Sequence, residues 1–265
     1  MSTRSRYTVQ IVSQKVISSD KRFSVTDRQE LIDGFNQQAL RQARGILVGA
    51  GGINGETGEG LCRKGIGELV FIDPDEVEPT NLNRQFFFER DLFKNKALRL
   101  AKNLAPHAPC GTVLVGHALS FQDAVALNVN LHGTFGVIGV DNGEARVAAS
   151  IQFRRLDIPA IFIAVDLLAE AGYVFVQEAG KACFGCLFPK TMFGRKAPCR
   201  APASKDILKV VAGIALYATD TLIMERKRSW NYREVHLAGF APSCERVVGR
   251  LPDCPLCGSS TEKQG

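Results

Sequence analysis

The chain has 265 residues, of which 45% are hydrophobic and 23% are charged, the proportions of an ordinary soluble globular protein. This length suits one large domain or two small ones. The net charge of +6 permits an acidic partner, but no aromatic residues interleave with a longer basic stretch, which argues against nucleic-acid binding. The basic run Arg226-Lys227-Arg228 is more simply explained as cations near the C-terminal end of a helix.

No segment has the pattern of a signal peptide or a membrane span. The apolar run that should follow Arg4 and Arg6 in a signal peptide is missing. The longest apolar segment, residues 207–224, contains Lys209 and Asp220 and is typical of a buried helix. We therefore expect a cytoplasmic protein with reduced thiols. Its eight cysteines must then serve metal binding, catalysis or packing.

The first elements in chain order are predicted from the hydrophobic pattern. A short strand is predicted within residues 7–16, in an N-terminal extension of residues 1–26. Apolar residues at helical spacing predict one or two helices over residues 27–44. A strand over residues 46–48, a glycine-rich loop and a helix over residues 56–64 follow.

Strands and helices continue to alternate through the middle of the chain. Strands are predicted over residues 68–72, 112–115, 135–140 and 160–165, and helices over residues 94–103, 121–131 and 144–155. This alternation predicts an α/β fold with a doubly wound, mostly parallel sheet. The pattern then changes to a strand (173–177), a Cys pair, a loop (about 189–203), a long helix (204–224), a second Cys pair and a tail (259–265).

The glycine-rich loop is the run Gly49-Ala50-Gly51-Gly52-Ile53-Asn54-Gly55. Small residues such as Gly49, Gly51 and Gly52 let the backbone approach a phosphate at the start of a helix. Asp73 follows the next strand, where an acid about 20 residues after such a loop binds ribose hydroxyls. The order of elements therefore predicts a nucleotide site, but NAD-binding and ATP-binding proteins both fit it.

The residues after Asp73 distinguish the two nucleotides. The segment from Asp73 to Gln85 has the pattern D-x-D-x-V-x-x-x-N-L-N-R-Q. Asn81, Arg84 and Lys96 supply an amide and two positive charges, which a protein needs to neutralise a triphosphate during nucleotidyl transfer. These residues therefore favour ATP chemistry over hydride transfer.

Asp141 follows the strand predicted over residues 135–140 and would lie at the same edge of the sheet. With Asn142 beside it, the carboxylate can hold Mg²⁺. The residues alone equally allow a turn or a helix N-cap at Asp141, ahead of the helix predicted over residues 144–155.

Together these motifs closely resemble the adenylation signature of ThiF/MoeB/HesA-like proteins, in the ubiquitin-activating enzyme superfamily. The resemblance covers residues 28–258, implies a Rossmann-like fold, and predicts a single adenylation domain over residues 27–258. It implies nucleotide-binding roles for Gly49, Gly51, Gly52, Asp73, Asp75, Asn81, Arg84, Gln85, Lys96, Asp141 and Asn142. Arg146 completes the family's D-N-x-x-x-R pattern.

The resemblance also implies a homodimer. In the family, the Arg of an R-Q dipeptide before the first strand reaches into the partner subunit's ATP site, and Arg28-Gln29 matches that dipeptide. Two features depart from the family pattern. Asn54 stands where Gly is usual, although Asn tolerates left-handed backbone dihedrals. Gly58 and Gly60 weaken the following helix by about 1 kcal/mol each.

Four cysteines form two C-x-x-C pairs, Cys183/Cys186 and Cys254/Cys257. Four thiolates in two such pairs predict a closed tetrahedral zinc site with a structural role. A redox pair is the alternative for a single C-x-x-C, but two pairs in one chain favour a metal. Many members of the superfamily that this chain resembles carry this zinc site, and their second pair has the pattern C-P-x-C-G found here. The fold is therefore expected to include a zinc-bound C-terminal segment.

Among the other cysteines, Cys199 is the candidate nucleophile. Its neighbours Arg195, Lys196 and Arg200 would lower the pKa of its thiol, and it precedes the helix predicted over residues 204–224. Family members place a catalytic cysteine on a crossover loop there. The alternative is an exposed loop cysteine without a role. Cys244 is a weaker candidate, whereas Cys62 and Cys110 are interpreted as packing residues.

The resemblance predicts an ATP-dependent adenylyltransferase that uses Mg²⁺, with catalytic roles for Arg28, Arg84, Lys96, Asp141 and Cys199. The C-terminal carboxylate of a ubiquitin-like protein would attack the α-phosphate and release pyrophosphate. Cys199 could then accept the acyl group as a thioester and pass it to a conjugating enzyme.

Other functions remain open from the residues. The partner could be a sulfur-carrier protein with a C-terminal Gly, in thiamine or molybdenum cofactor synthesis, or a short peptide or a tRNA base. A protein that only binds its partner is a further class. An NAD-dependent oxidoreductase would leave Arg84, Lys96 and Asp141 unexplained and lacks an evident acid or base for hydride transfer.

Overall fold

A computed structural model of the chain describes residues 7–16, 23–188, 202–239 and 241–258. Its strands are β1 (Thr8–Val12), β2 (Arg44–Val48), β3 (Glu68–Ile72), β4 (Val113–His117), β5 (Phe135–Ile138), β6 (Ala160–Val165), β7 (Ala171–Gln177), β8 (Tyr232–His236) and β9 (Cys244–Arg246). Its α-helices are α1 (Asp27–Glu30), α2 (Gln37–Gln42), α3 (Gly52–Lys64), α4 (Lys96–Leu104), α5 (Phe121–Ala126), α6 (Gly143–Arg155), α7 (Phe184–Leu187) and α8 (Lys205–Ile223).

The strands form one sheet in the order β1-β4-β3-β2-β5-β6-β7-β8-β9. The five strands from β4 to β6 in this order are parallel, as expected when a helix connects each of them to the next one along the chain. β1 pairs antiparallel to β4, and β7, β8 and β9 extend the other side as an antiparallel meander. The fold is therefore α/β, as predicted, but its sheet is mixed and not mostly parallel.

Helices cover both faces of the sheet because alternate residues of its central strands point to opposite sides. Leu47 of β2 packs into a core with α3, α4 and α8, whereas its neighbours Ile46 and Val48 pack into a second core with α5 and α6. Phe153 of α6, which is fully buried, stacks on Phe121 of α5 at a centroid distance of 6.0 Å. The doubly wound arrangement predicted from the sequence is therefore present.

Several element ends differ from the predictions for local reasons. α3 begins at Gly52, four residues before the predicted start at residue 56. α5 stops at Ala126 because Asn128 has a positive φ of 54° and the chain turns back there. In the region predicted to hold one or two helices, residues 27–44, the structure has two, α1 and α2, with Gly34 at φ 70° between them.

β8 and β9 were not predicted from the sequence. β8 reads Tyr-Arg-Glu-Val-His, and its polar residues give no hydrophobic alternation to mark a strand. Pairing with β7 makes it a strand in the fold. Among the described residues, no helix combines the length and the apolar character needed to cross a membrane.

Candidate functional site

The glycine loop and Asp73 meet at the carboxyl-terminal edge of the parallel strands. β2 and β3 are adjacent, so the residues that follow Val48 and Ile72 lie side by side. Asp73 Oδ2 accepts a 2.6 Å hydrogen bond from the backbone N–H of Ala50, and its Oδ1 accepts one of 2.8 Å from the backbone N–H of Asp75. The acid is thus held against the loop, as a ribose-binding role requires.

The turn out of β2 depends on Gly49, which has a φ of +94°. A Cβ on this residue would lie 3.0 Å from Val140 Cγ1 and 3.2 Å from the carbonyl oxygen of Gly139, so a side chain does not fit. Gly51 is the N-cap of α3, has no side-chain cap and has open space on its Cβ side. The first N–H groups of this 13-residue helix can therefore receive an anion.

Asn54 stands where the family usually has Gly, but its backbone is helical and not left-handed. It lies inside α3, and its side-chain amide donates 2.8 Å hydrogen bonds to the carbonyl oxygens of Val48 and Gly49. Asn54 therefore ties the helix to the end of β2. The turn is formed at Gly49, several residues earlier.

Burial raises the pKa of Asp73 to about 6, with the nearby charge of Lys96 and the N–H of Ala50 acting in the opposite direction. The side chain is only 7% exposed, and removing an ionised carboxylate from water is costly. The carboxylate therefore changes its charge close to neutral pH.

Lys96 is held next to the same acidic pair. Its Nζ lies 3.0 Å from Asp75 Oδ2, and its backbone N–H donates a 2.8 Å hydrogen bond to the Asp75 carbonyl oxygen. Asn95 caps α4 and donates side-chain hydrogen bonds to the carbonyl oxygens of Asp73 and Asp75, at 2.8 and 3.1 Å. These contacts bring a cation to the glycine loop from the start of α4.

The residues between β3 and α4 form a segment over the first turn of α3, and its signature residues make local contacts. Asn81 is buried, and its Oδ1 accepts a 2.9 Å hydrogen bond from the backbone N–H of Glu78. The Arg84 guanidinium donates to the carbonyl oxygen of Thr80 and to Asn83 Oδ1. Gln85 Oε1 is buried with no hydrogen-bond partner among the described residues, a feature that suits a site completed by a ligand.

Asp141 and Asn142 follow β5, the strand next to β2 on its other side. Asp141 is exposed, so its carboxylate is free to meet a cation. Asn142 is the N-cap of α6, and its Oδ1 accepts from the backbone N–H groups of Glu144 and Ala145. The capping function considered for Asp141 is therefore performed by Asn142, which also leaves the amide nitrogen of Asn142 for a ligand.

The four thiols of the two C-x-x-C pairs converge in one buried cluster, with all Sγ atoms within 4.8 Å of one another. The Sγ atoms of Cys183 and Cys254 are 3.5 Å apart, and those of Cys186 and Cys257 are 3.4 Å apart. Both distances are too long for a disulfide and close to the edge of about 3.8 Å of a tetrahedral Zn–S₄ site. The cluster could hold a metal ion and would join the C-terminal segment to α7.

The family is settled by a comparison with known proteins. A family model described as ThiF family matches residues 25–246. The chain belongs to the ThiF family.

Two curated relatives show what kinds of ThiF-like protein the chain is similar to. Ubiquitin-like modifier-activating enzyme 5 of Bombyx mori is 28% identical over 197 residues, which cover 69% of this chain and 50% of that protein. The ATP-dependent ubiquitin transferase-like protein Cap2 of Escherichia coli (strain TW11681) is 25% identical over 246 residues, or 82% of this chain and 41% of that protein. The chain spans half or less of the length of these two relatives.

Solved structures share the fold of this ThiF-family chain. E. coli MccB with ATP matches with a TM-score of 0.70 at 23% identity, over 84% of this chain and 68% of that chain. The crystal structure of PaaA matches with a TM-score of 0.67 at 21% identity, over 90% of this chain and 78% of that chain. The chain therefore shares its α/β fold with these proteins.

Arg28 lies far from the nucleotide edge of its own chain. It is exposed in α1, and its neighbour Gln29 donates a 2.8 Å hydrogen bond to the carbonyl oxygen of Lys64, the last residue of α3. At 1.5 Å per residue, the length of α3 separates this point from Gly52 by about 18 Å. Arg28 therefore lies near the end of α3 opposite the glycine loop, a geometry that suits an arginine acting on another subunit.

The remaining cysteines occupy different environments. Cys199 lies outside the described residues. Cys62, a residue of α3, is buried in the core, as predicted for a packing residue, and Cys110 is half-buried. Cys244 is exposed in β9, with its Sγ 3.9 Å from Glu234 Oε2.

Two residues near the glycine loop were missed from the sequence. Glu56, in α3, is buried and forms an ion pair with Lys205, the first residue of α8. The sequence did contain a sign that Glu56 is buried. Glu56 lies three residues after Ile53 and therefore shares its helix face, which is otherwise buried. The partner could not be named, because Lys205 lies on a helix distant in sequence.

Proposed function

We propose that this ThiF-family chain is an ATP-dependent adenylyltransferase that activates the C-terminal carboxylate of a ubiquitin-like protein. The observation that carries the proposal is the hydrogen bond from Ala50 to Asp73, with Lys96 beside it on Asp75. It joins a ribose acceptor, a glycine loop at a helix start and a cation at one edge of the sheet. Nicotinamide binding would use the acid and the loop but not the cation.

In this proposal, the ribose hydroxyls of ATP donate to Asp73 while the first N–H groups of α3 bind the phosphates. Lys96 and Arg84 offset the charge that develops on the phosphates, and Asp141 provides a carboxylate ligand for Mg²⁺. The Asn142 amide nitrogen, which capping leaves available, can donate to the nucleotide. An oxygen of the partner's carboxylate bonds to the α-phosphorus as the bond to the β-phosphate bridging oxygen breaks. The products are an acyl-adenylate and pyrophosphate.

The substrate class rests on the relatives. One relative is named as a ubiquitin-like modifier-activating enzyme and another as a ubiquitin transferase-like protein. The alternatives are a sulfur-carrier protein with a C-terminal Gly and a short peptide. The peptide is favoured by the fold neighbour MccB, whose solved structures include complexes with MccA. In the ubiquitin-like case, the Cys199 thiolate would displace AMP from the acyl-adenylate and form a thioester for a conjugating enzyme.

In this proposal, the protein also binds a structural zinc ion and acts as a homodimer. Cys183, Cys186, Cys254 and Cys257 would hold Zn²⁺, which adds no chemistry to the reaction because four thiolates leave no open coordination position. The distance of Arg28 from its own glycine loop supports a site shared between two subunits.

ATP–pyrophosphate exchange tests the proposal. The chain is incubated with labelled pyrophosphate, MgATP and, in separate reactions, ubiquitin-like proteins ending in Gly-Gly, sulfur-carrier proteins and short peptides with a free carboxylate. We expect exchange with one class and a loss of about 100-fold in Lys96→Ala. Lys102→Ala, an exposed lysine on the same helix, is the matched control. Exchange with no class, together with tight NAD binding, would reject the proposal.

A further inference from the structure

An ion pair between a buried glutamate and a partly exposed lysine links the glycine-loop helix to the start of α8. The Glu56 side chain is 9% exposed and contacts Lys205 Nζ. A buried carboxylate is costly unless it is paired. Among the described residues Glu56 Oε1 accepts no hydrogen bond, so the ion pair with Lys205 is what offsets its charge. The position of Lys205 is therefore fixed by the carboxylate beneath it.

Lys205 also contacts the segment that carries Arg84. Its Nζ lies 3.4 Å from the carbonyl oxygen of Arg84 and 4.5 Å from the ring centroid of Phe86. An ammonium group has three N–H donors, so one can face Glu56 and another the Arg84 carbonyl, while the charge is attracted to the ring face. One side chain thus connects α3, α8 and the backbone of the Arg84 segment.

The surrounding packing allows little movement of these parts. A Cβ on Gly55 would lie 3.0 Å from the Phe86 ring, and one on Gly52 would lie 2.5 Å from Leu208. The Phe86 ring and the first turn of α8 therefore both press on the first turn of α3. This is the turn whose N–H groups would receive the phosphates.

We propose that Lys205, held by Glu56, is a positioning residue that sets the Arg84 segment against the phosphate-binding turn of α3. The inference rests on the proposed nucleotide site and adds a residue outside its signature. Lys205 acts through Arg84, since it contacts the Arg84 backbone carbonyl and not the guanidinium. The guanidinium donates locally through one terminal nitrogen, and its other N–H groups can donate to phosphate. Small displacements of such a group are costly, because about 1 Å can change a rate by about 100-fold.

A double-mutant cycle on MgATP affinity tests the inference without the partner protein. Replacing Lys205 alone would leave Glu56 buried and unpaired, so the informative variant is Glu56→Gln with Lys205→Met. We expect it to fold and to bind MgATP about 10-fold more weakly in titration calorimetry. In an Arg84→Met background the same pair of changes should weaken binding less than 2-fold further, because the group it positions is gone.

Two variants separate positioning from general stability. Lys205→Arg keeps a cation that can contact both Glu56 and the Arg84 carbonyl, so it should restore at least half of the wild-type affinity. Lys209→Met removes an exposed charge from the same helix and should leave the affinity unchanged. An equal loss of affinity in the wild-type and Arg84→Met backgrounds, or no loss at all, would overturn the inference.

The proposed function and this inference fail in different ways. Absence of MgATP binding by the wild type would overturn both. Binding without exchange for any partner would reject the adenylyltransferase while the cycle still decides the role of Lys205. If the wild type catalyses exchange but the Glu56→Gln/Lys205→Met pair weakens MgATP binding equally in the wild-type and Arg84→Met backgrounds, only the inference is rejected.

Discussion

Asp73 Oδ2 accepts its hydrogen bond from the N–H of Ala50, so the acid after β3 is fixed to the loop after β2. The contact joins two neighbouring parallel strands at their carboxyl ends, where open α/β sheets bind ligands. The same contact buries a carboxylate that faces Asp75, whose pairing with Lys96 keeps a cation close by. Charge at this edge is therefore sensitive to pH.

Nucleotide affinity should fall as the pH decreases through about 6, the raised pKa of Asp73. The ionised carboxylate accepts hydrogen bonds from ribose hydroxyls, and protonation converts one acceptor oxygen into a donor. At pH 5 about one tenth of the chains would have an ionised Asp73, so we expect MgATP to bind about 10-fold more weakly than at pH 8.

The Asp73→Asn variant is the control for this pH dependence. It should bind MgATP weakly at every pH, and the ratio of its Kd to that of the wild type should shrink as the pH falls. Taking this ratio removes the titration of the nucleotide itself, which is the same for both proteins. A wild-type affinity that changes with pH in parallel with the Asn variant would show that Asp73 is not the titrating group.

The purified protein should contain about one zinc ion per chain, bound by the four-cysteine cluster. Cys254→Ser removes one of the four thiolates, so we expect metal analysis to show a loss of most of the zinc. The melting temperature should fall by about 5 to 10 °C, because the C-terminal segment loses its link to α7. Cys244→Ser, at an exposed cysteine outside the cluster, should change neither quantity. Full zinc content in Cys254→Ser would contradict the assignment.

The parts of the site that could be predicted from the sequence lie where local pattern determines position. Asp73 follows a hydrophobic strand whose bounds the pattern gives correctly, so its place at the sheet edge follows from the strand itself. The spacing within each C-x-x-C pair predicts that the two pairs meet, and the structure brings all four thiols together. In both cases the chemistry depends on a few neighbouring residues.

The parts that could not be predicted depend on contacts between distant segments. The pair of Glu56 with Lys205 exists because α8 packs across the first turn of α3. β8 becomes a strand by pairing with β7, although its own residues are mostly polar. The capping of α6 by Asn142 in place of Asp141 is decided by backbone geometry that two adjacent polar residues do not reveal.

A buried network at Asp91 should stabilise the segment between β3 and α4. Asp91 is fully buried, pairs with Arg99, and accepts hydrogen bonds from Asn103 Nδ2 at 2.6 Å and from the Phe88 N–H at 3.0 Å. Asp91→Ala leaves these donors unpaired, so urea unfolding should show a loss of about 3 kcal/mol. Glu89→Ala, at an exposed acid in the same turn, should change stability by less than about 0.5 kcal/mol.

The Asp91 contribution should also have a defined pH dependence. Burial alone would raise the pKa of this carboxyl, but hydrogen bonds from Asn103 and Phe88 and the charge of Arg99 hold it below the ordinary value. A lowered pKa in the folded state means that the stabilisation is complete above the ordinary pKa of about 4 and is lost as the pH falls through the lowered value. If the difference in unfolding free energy between the wild type and Asp91→Ala already declined between pH 7 and 5, this assignment would be contradicted.

Arg28 should act only on the site of another subunit. Gln29, the neighbour of Arg28, is bound to the C-terminal end of α3, and the length of that helix, about 18 Å, separates this point from Gly52. We therefore expect one subunit's Arg28 to complete its partner's site. Arg28→Ala alone should reduce pyrophosphate exchange about 100-fold, whereas Arg41→Ala, an exposed arginine on α2, should leave it unchanged.

Mixing two inactive variants gives the decisive measurement. In a dimer of one Arg28→Ala chain and one Lys96→Ala chain, one site has both Arg28 and Lys96, and the other has neither. Random mixing makes half of the dimers mixed, each with one intact site of two, so exchange should recover to about a quarter of the wild-type rate. If the two residues acted in the same chain, every site would carry one defect and the mixture would stay inactive.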